Sequence, residues 1–267
     1  MQDRSTREDR QPLWARRAQQ GVIAARWLAA ALVLGGAALL AGCSGPTPSD
    51  GDPTEASAAA TPAAKAGPVD RPDTRRVVLV MGDSLSAAYN LAPEQGWVAL
   101  LDARLRAEGR PWRMVNASIS GETSAGGAAR IAASLDEHRP GVLVVELGAN
   151  DGLRGLPLED TRRNLEAMVR AGRAAGARVL VVGVRLPPNY GPEYTERFFA
   201  QFGEIAAAEG AAHLPFLLEP IAMDDAAFQA DRLHPTAEAQ PRIADHVWPV
   251  LAPLLDETGA QAPSTGA

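Results

Sequence analysis

Short apolar runs rich in β-branched residues recur along the middle of the chain and predict buried strands. The clearest are Val77–Met81, Gly141–Leu147 and Ala177–Val184. Polar residues rarely interrupt them, as is typical of strands buried on both faces of a parallel sheet. Arg113–Ala117 and Ala212–Phe216 are weaker candidates for two further strands.

Segments with a helical spacing of apolar residues alternate with these runs. They are Glu94–Glu108, Ser124–His138, Leu158–Ala175, Tyr194–Glu209 and Pro235–Leu255. Gly109 and Gly176 are typical helix stop signals, and Pro235 suits the first turn of a helix. The alternation predicts an α/β fold in which helices cover both faces of a parallel sheet. Ligands in such folds bind beyond the carboxyl ends of the strands.

The N-terminal segment has the pattern of an export signal. Residues 1–26 are charged, and the apolar stretch Trp27–Leu40 that follows ends in small residues, as in a signal peptide. It is shorter than the roughly 20 residues that a membrane-spanning helix needs. Leu40-Ala41-Gly42-Cys43 resembles the bacterial lipobox, which implies cleavage after residue 42 and lipidation of Cys43, the single cysteine of the chain. A plain secretory signal with a coincidental cysteine is the alternative.

The segments that flank the central part of the chain contain few large apolar residues. Residues 43–74 are rich in Pro, Ala, Ser, Thr and Gly and predict a flexible tether. Residues 257–267 predict a disordered tail of the same character. One domain therefore spans residues 75–256. We expect secretion across the inner membrane and a lipid anchor at the cell envelope, facing the periplasm or the exterior.

Charge and cysteine content exclude some functional classes. The formal net charge of -6 argues against a nucleic-acid partner, because nucleic-acid-binding surfaces carry basic patches. A single cysteine excludes an intrachain disulfide and a multi-cysteine metal site.

The first candidate for catalysis follows the first predicted strand. Val77–Met81 runs directly into Gly82-Asp83-Ser84-Leu85-Ser86, so Ser84 lies on the turn that leaves the sheet, where a nucleophile is exposed. The segment is not the G-x-S-x-G elbow of the α/β-hydrolases, because Ser86 occupies the position of the second glycine. Taken alone, Ser84 is more simply explained as a cap of the following helix.

His234 is the candidate base for Ser84. It lies in Asp231-Arg232-Leu233-His234-Pro235, where Asp231 can bind one ring nitrogen and leave the other facing the serine, as in a catalytic triad. The other histidines have structural explanations, since they lie in or beside predicted helices and strands. They are His138, His213 and His246.

Two glycine-containing segments offer donors for an oxyanion. Gly121 follows the second predicted strand, and the absence of a side chain lets its N–H approach a substrate closely. Asn150 follows the third strand, and its amide can donate a second hydrogen bond. The alternative for both segments is a pair of turns, with the Asn in a left-handed conformation.

Together these motifs resemble the four conserved blocks of the SGNH, or GDSL, hydrolases over residues 76–253. The matching positions are Gly82-Asp83-Ser84-Leu85, Gly121, Gly148-x-Asn150-Asp151 and Asp231-x-x-His234. Asn116–Gly121, Glu146–Gly148 and Arg185–Pro187 look like one branch, the bacterial multifunctional acyl-CoA thioesterase, lysophospholipase and arylesterase. The resemblance implies a flavodoxin-like three-layer α/β/α sandwich around a mostly five-stranded parallel sheet.

The resemblance also implies roles for individual residues. Ser84 forms an acyl-enzyme, His234 and Asp231 complete the triad, and the N–H groups of Ser84 and Gly121 form an oxyanion hole with Asn150. The implied reaction is hydrolysis of arylesters, lysophospholipids and acyl thioesters, without cofactor or metal. We expect a monomer. Further substrate-binding positions are expected at Asp83, Leu85, Gly148, Asp151, Leu153, Leu156 and Tyr190.

Two local features bear on how an acyl group is held. Residues 151–157 follow Asn150, and their glycines flank apolar side chains, which predicts a mobile substrate-binding loop. Leu186 and Phe198 are further wall candidates, although Phe198 suits core packing equally well. Ala88 stands where this branch is expected to carry glycine, so its methyl group is expected to narrow the acyl cleft.

Two other functions remain open at this point. One is an SGNH-type carbohydrate O-deacetylase at the cell envelope, which an open polar cleft favours. The other is a surface lipoprotein that binds a ligand without turnover, although a binding protein has no need of an intact Ser, Asp, His and Asn set.

Overall fold

The structure, a computed structural model, describes residues 73–256. The predicted signal peptide, Cys43, nearly all of the tether and the C-terminal tail lie outside the described residues. Within that range no helix combines the length and the apolar character needed to cross a bilayer.

A single five-stranded sheet organises the described residues. Its strands are β1 Arg76–Gly82, β2 Trp112–Asn116, β3 Val142–Glu146, β4 Arg178–Val182 and β5 Ala212–Leu214. All neighbouring strands are parallel, in the order β2-β1-β3-β4-β5. The predicted α/β fold with a flavodoxin-like parallel sheet is therefore confirmed. The chain reverses direction across the sheet between β1 and β3, and folds of this type bind ligands at the carboxyl side of such a point.

Among residues 73–256, six helices connect and cover the strands. They are α1 Trp97–Ala107, α2 Ser124–His138, α3 Ala149–Leu153, α4 Leu158–Ala174, α5 Pro192–Glu209 and α6 Gln240–Asp256. Short 3₁₀ turns occur at Pro93–Gln95, Pro188–Tyr190, Asp225–Ala227 and Ala237–Ala239.

Alternation along the strands divides the core into two layers. Val78 and Val80 of β1 pack with the apolar faces of α1 and α6. Val77, Leu79 and Met81 point to the other side, where α2, α4 and α5 cover the sheet. The strands are apolar throughout because each side chain of a centrally placed strand meets one of these two layers.

Two local predictions were wrong. Pro235 does not begin the last helix: it pairs with Phe228 in an isolated antiparallel bridge, and α6 begins at Gln240. The bridge closes the segment that carries His234, so tertiary pairing overrides the helical preference of the proline. The sequence predicts a loop from residue 151, whereas Ala149–Leu153 forms the short helix α3, because five residues are too few to show a helical period.

Candidate active site

The segments after β1 and β5 bring a serine, a histidine and an aspartate into one hydrogen-bonded series. Ser84 Oγ lies 2.8 Å from His234 Nε2. His234 Nδ1 lies 2.7 Å from Asp231 Oδ2. The series joins residues 150 positions apart in sequence, and Ser84 lies in a turn rather than at the N-terminus of a helix.

Asp231 is oriented by the backbone of its own loop. Its Oδ1 accepts hydrogen bonds from the N–H groups of Leu233 (2.9 Å) and His234 (3.0 Å). Partial burial raises the pKa of Asp231, but the bonds from His234 and Leu233 outweigh it and leave the pKa below its ordinary value. Asp231 is therefore ionised at neutral pH, as is required to hold Nδ1 protonated and to stabilise an imidazolium.

Two residues that sequence reasoning missed hold His234 in place. The Tyr89 ring lies against His234, with ring centroids 4.3 Å apart. The Gln229 N–H donates to the His234 carbonyl, and its side-chain amide donates to the carbonyls of Tyr89 and Pro235. Gln229 thus ties the histidine loop to the serine turn. No periodicity or motif in the sequence marks this contact, because the partners are 140 residues apart.

The three candidate oxyanion donors border the same cleft. Ser84, Gly121 and Asn150 all line it. Gly121 has φ +79°, a left-handed conformation that disfavours other residues. Asn150 Nδ2 lies 3.1 Å from Asp83 Oδ2 and 3.1 Å from the Glu122 carbonyl. Both amide protons thus have protein acceptors, and donation to an oxyanion requires one of these bonds to be shared or exchanged.

Two carboxyl groups are buried beneath the serine turn. Burial raises the pKa of Asp83 to about 6. The hydrogen bond from the Leu85 N–H, the charge of His234 and the hydrogen bond from the Asn150 amide lower this pKa, but they only partly offset the effect of burial. Burial and the neighbouring Asp83 raise the pKa of Glu146 well above its ordinary value. Glu146 Oε2 accepts from Ser86 Oγ at 2.7 Å. The sequence could have indicated this contact, because Glu146 interrupts an otherwise apolar strand and a buried carboxyl group needs hydrogen-bond partners.

The triad opens into a cleft of about 620 Å³ whose walls are mainly apolar. A cleft of this volume lies within the usual range for small-molecule sites. Its apolar lining comes from the segments after β1, β3, β4 and β5. The larger of these side chains are Leu85, Tyr89, Leu153, Val184, Leu186, Pro187, Phe216, Leu217, Leu218, Phe228 and Leu233.

The expected substrate-binding residues divide into two groups. Asp83, Leu85 and Leu153 border the cleft. Gly148, Asp151, Leu156 and Tyr190 are not among the lining residues, and their part in substrate binding stays a prediction. Phe198 belongs to the core rather than to the wall.

Asp151 and Gly148 contact the helices behind the cleft. Asp151 is buried and accepts hydrogen bonds from the Ser124 N–H, the Ser124 hydroxyl and the Thr161 hydroxyl. Gly148 has φ +117° and lies next to the Phe202 ring. In this structure the hydrogen bonds of the Asp151 carboxylate are made to α2 and α4.

Tyrosine hydroxyls fix the segment that follows Asn150. Tyr190 donates to the Leu153 carbonyl at 2.9 Å, and Tyr194 donates to the Leu156 carbonyl at 3.1 Å. Tyr190 therefore holds a wall residue instead of forming the wall. The mobility predicted for residues 151–157 stays a prediction.

The methyl group of Ala88 does not narrow the cleft. Ala88 is buried at φ +57° and is absent from the cleft lining. Its Cβ lies so close to Gly96, just before α1, that a side chain on Gly96 would collide with it. Because the side chain of Ala88 lies away from the cleft, the difference from glycine at this position is not expected to affect acyl-chain preference.

The remaining histidines lie outside the hydrogen-bonded series. His138 ends α2, His213 lies in β5 with its pKa lowered by burial, and His246 Nε2 lies 3.0 Å from the Phe216 carbonyl. Across residues 73–256, no three His, Cys, Asp or Glu side chains are grouped as metal ligands.

Comparisons with known proteins agree with this arrangement. The GDSL-like Lipase/Acylhydrolase family matches residues 80–241. Esterase TesA of Pseudomonas aeruginosa is 52% identical over 180 residues, covering 67% of this chain and 90% of that protein. Thioesterase 1/protease 1/lysophospholipase L1 of Escherichia coli is 40% identical over 179 residues, covering 67% and 85%.

Solved structures give the same result. The crystal structure of TesA aligns with a TM-score of 0.65 over 67% of this chain and 99% of its own. The psychrotrophic esterase EstA of Pseudoalteromonas, solved in a form inhibited by monoethylphosphonate, is 41% identical, with a TM-score of 0.65 over 67% and 98%. The chain belongs to the GDSL-like lipase/acylhydrolase family and is a carboxylic ester hydrolase.

Proposed function

We propose that this protein hydrolyses esters and thioesters with apolar acyl chains, using Ser84 as the nucleophile. The observation that carries the proposal is the hydrogen-bonded series from Ser84 through His234 to Asp231 on the wall of an apolar cleft. A surface protein that only binds a ligand does not require this series.

The residues support a two-step reaction. His234 Nε2 accepts the Ser84 hydroxyl proton while Oγ attacks the carbonyl carbon, and Asp231 stabilises the imidazolium. The proton then passes to the leaving alcohol or thiol as the carbonyl re-forms, which leaves the acyl group on Ser84. Water attacks this acyl-enzyme, gives its proton to the same nitrogen and releases the carboxylic acid, and Ser84 regains its proton.

The oxyanion of each tetrahedral intermediate is held by the Ser84 and Gly121 N–H groups and the Asn150 amide. Asp83 positions that amide through its bond to Nδ2. Such donors act strongly because they are fixed before the charge develops.

The lining of the cleft favours a lipid-like acyl group over a simple acetyl group on a carbohydrate. Aliphatic and aromatic side chains contribute most of the surface that lines it. The names of the relatives, esterase and thioesterase/lysophospholipase, support the same class of substrate. All three members of the triad come from one chain, so a monomer suffices.

We also propose that the mature protein is anchored through a lipid on Cys43 and faces the periplasm or the exterior. The lipobox-like Leu40-Ala41-Gly42-Cys43 supports this. Mass spectrometry of the mature N-terminus is expected to find acylated Cys43. An unmodified N-terminus or retention of residues 1–42 would contradict the anchor.

Hydrolysis of p-nitrophenyl esters from acetate to dodecanoate tests the catalytic proposal. We expect the rate to be greater for medium or long chains than for acetate, and to fall at least about 10⁴-fold in Ser84→Ala. Ser86→Ala is the matched control for folding near the turn, read by circular dichroism. Preference for acetate alone favours the deacetylase, and undiminished activity in Ser84→Ala refutes the mechanism.

A further inference from the structure

The exposed large apolar side chains of the described residues are confined to one edge of the sheet. Between 36% and 59% of each side chain's accessible surface is exposed. All lie on segments that leave the carboxyl ends of strands, and two of them line the cleft. We name these five residues the apolar rim. They are Tyr89, Ile119, Leu156, Met223 and Leu233.

Three arginines share this edge with the apolar rim. Arg154, Arg185 and Arg232 follow β3, β4 and β5, and none of them forms an ion pair with a carboxylate within residues 73–256. Arginines on the flanking helices, by contrast, are mostly paired, as Arg162 is with Glu204 and Arg242 with Asp224.

The side chains of two of these arginines are held in place without neutralising their charge. Arg185 stacks on the Phe199 ring, with its guanidinium carbon 3.6 Å from the ring centroid. Arg154 donates to the Gly121 carbonyl at 3.0 Å. The carboxylates of the cleft, Asp83, Asp225 and Asp231, belong to its walls. Apolar side chains interspersed with unpaired arginines match the interface of an anionic bilayer, where apolar burial and attraction to headgroups act together.

We propose that the apolar rim and its three arginines dock the domain on a phospholipid surface that carries anionic headgroups. This inference deepens the proposed function and rests on it, because docking places the mouth of the acyl cleft against its substrates. A lipid leaving the bilayer would then enter the cleft without crossing water.

The predicted anchor is compatible with this orientation. The tether joins the domain at the amino end of β1, on the edge opposite the rim. A chain of its 32 residues, 43–74, can span at most roughly 100 Å. A domain of this size is roughly 40 Å across. The chain is therefore long enough for the rim to reach the membrane that holds Cys43.

Co-sedimentation with vesicles tests the proposal on residues 73–256. The TesA crystal chain, almost all of which aligns with two thirds of this chain, shows that a domain of this extent folds alone. Vesicles of phosphatidylcholine and of phosphatidylcholine with one third phosphatidylglycerol are compared, with Ser84→Ala throughout so that no lipid is consumed. We expect binding to both, several-fold stronger to the anionic vesicles.

Two variants and one matched control separate the contributions. Ile119→Ser/Met223→Ser lies outside the cleft lining and is expected to weaken binding to both vesicle types about tenfold or more. Arg232→Gln is expected to weaken only anionic binding, roughly fivefold. Arg139→Gln is its control: Arg139 is also exposed with a positive φ, but lies on the opposite edge. We expect that control to bind like the parent.

Three outcomes overturn the docking surface. They are absence of vesicle binding, retention of full binding by Ile119→Ser/Met223→Ser, and equal losses in Arg232→Gln and Arg139→Gln. With Ser84 intact, the double variant is expected to keep its rate on soluble p-nitrophenyl acetate. Failure of the proposed function appears instead as absent or Ser84-independent ester hydrolysis, which the vesicle assay does not measure.

Discussion

The two edges of the central sheet differ in the length of their connections and in the residues that these connections carry. At the amino edge, helices return to strands through connections of two to four residues. Each contains one left-handed residue just after a helix, where a positive φ satisfies the helix end. These residues are Gly109, Arg139, Gly176 and Gly210. At the carboxyl edge the segments between each strand and the next long helix are longer, from residues 117–123 up to residues 215–239, and these segments, with the short helix α3, carry every member of the candidate site.

The carboxyl edge also contains features that cost stability. Asp83, Glu146 and Asp151 are the fully buried carboxyl groups of residues 73–256, and all three lie there. The apolar rim is exposed at the same edge. The candidate site therefore lies at the edge that buries carboxyl groups and exposes apolar side chains. The opposite edge, with its short and regular turns, contributes mainly to stability. Variants at matched positions on the two edges test this division.

The largest effect is expected for Asp231→Asn. The variant keeps the shape of the side chain but removes the charge that fixes the His234 tautomer, so kcat/KM for a p-nitrophenyl ester should fall about 10⁴-fold. Steady-state kinetics measure the loss, and unfolding in urea should show little change in stability. A loss below tenfold would mean that Asp231 is not the partner of His234.

Asn150→Ala is expected to lower kcat 10²- to 10³-fold with little change in KM, because an oxyanion donor acts mainly in the transition state. The control is Asn164→Ala, whose amide donates to the Ser124 hydroxyl away from the cleft. That variant should keep its kcat. Equal losses in the two variants would point to general destabilisation.

Glu146→Gln is expected to change the pH dependence of stability. The raised pKa means that folded Glu146 holds its proton while the unfolded chain releases it, so its contribution is full below about pH 4.5 and lost as pH rises. The variant lacks this loss. Its free energy of unfolding, relative to wild type, should rise by about 1.4 kcal/mol per pH unit above pH 4.5 until the folded carboxyl ionises. Urea unfolding from pH 4 to 8 measures it, and a flat difference would falsify the raised pKa.

Gly121→Ala and Gly176→Ala form a matched pair across the two edges. Their φ values are +79° and +82°, and neither position is crowded. Both variants should lose about 1–2 kcal/mol of stability through left-handed strain. Only Gly121→Ala should reduce kcat/KM, by tenfold or more, because its N–H is a proposed oxyanion donor. Similar kinetics in both variants would remove Gly121 from the oxyanion hole.

The smallest effect is expected for Ala88→Gly. Relief of the left-handed strain and loss of a buried methyl group act in opposite directions, so stability should change by less than about 1 kcal/mol. The chain-length profile on p-nitrophenyl esters should not change, because the methyl group faces Gly96. A shift of that profile would show that Ala88 reaches the acyl group.

Particular residues show how far sequence reasoning reached. Val77–Met81 and Gly141–Leu147 predicted central strands because a strand buried on both faces must be apolar, and β1 and β3 occupy those positions. The spacing of Asp231 and His234 on one turn predicted their contact, since three residues of loop can place both side chains together. Parallel strands imply that segments after β1, β2 and β3 meet at one edge, which brought Ser84, Gly121 and Asn150 into one prediction.

Asp151 and Tyr190 show where that reasoning stopped. Both were expected in the cleft because they lie close in sequence to residues that line it. Asp151 instead accepts hydrogen bonds from hydroxyl groups of two helices, and Tyr190 donates to the Leu153 carbonyl. The direction in which a side chain points depends on how the neighbouring helices pack. Nearness in sequence to a site residue does not determine it.

The sequence by itself determined the parallel sheet, the helices that cover both of its faces, and the chemical identity of the residues at its carboxyl edge. It could do so because periodicity and local motifs reflect short-range physics. Only the tertiary structure decided that Tyr89 and Gln229 hold His234 in place, that Asp83 and Glu146 are buried together, and that two residues of the apolar rim line the cleft. These features join residues far apart in the chain. Their energies depend on burial and distance, which exist only once the chain has folded.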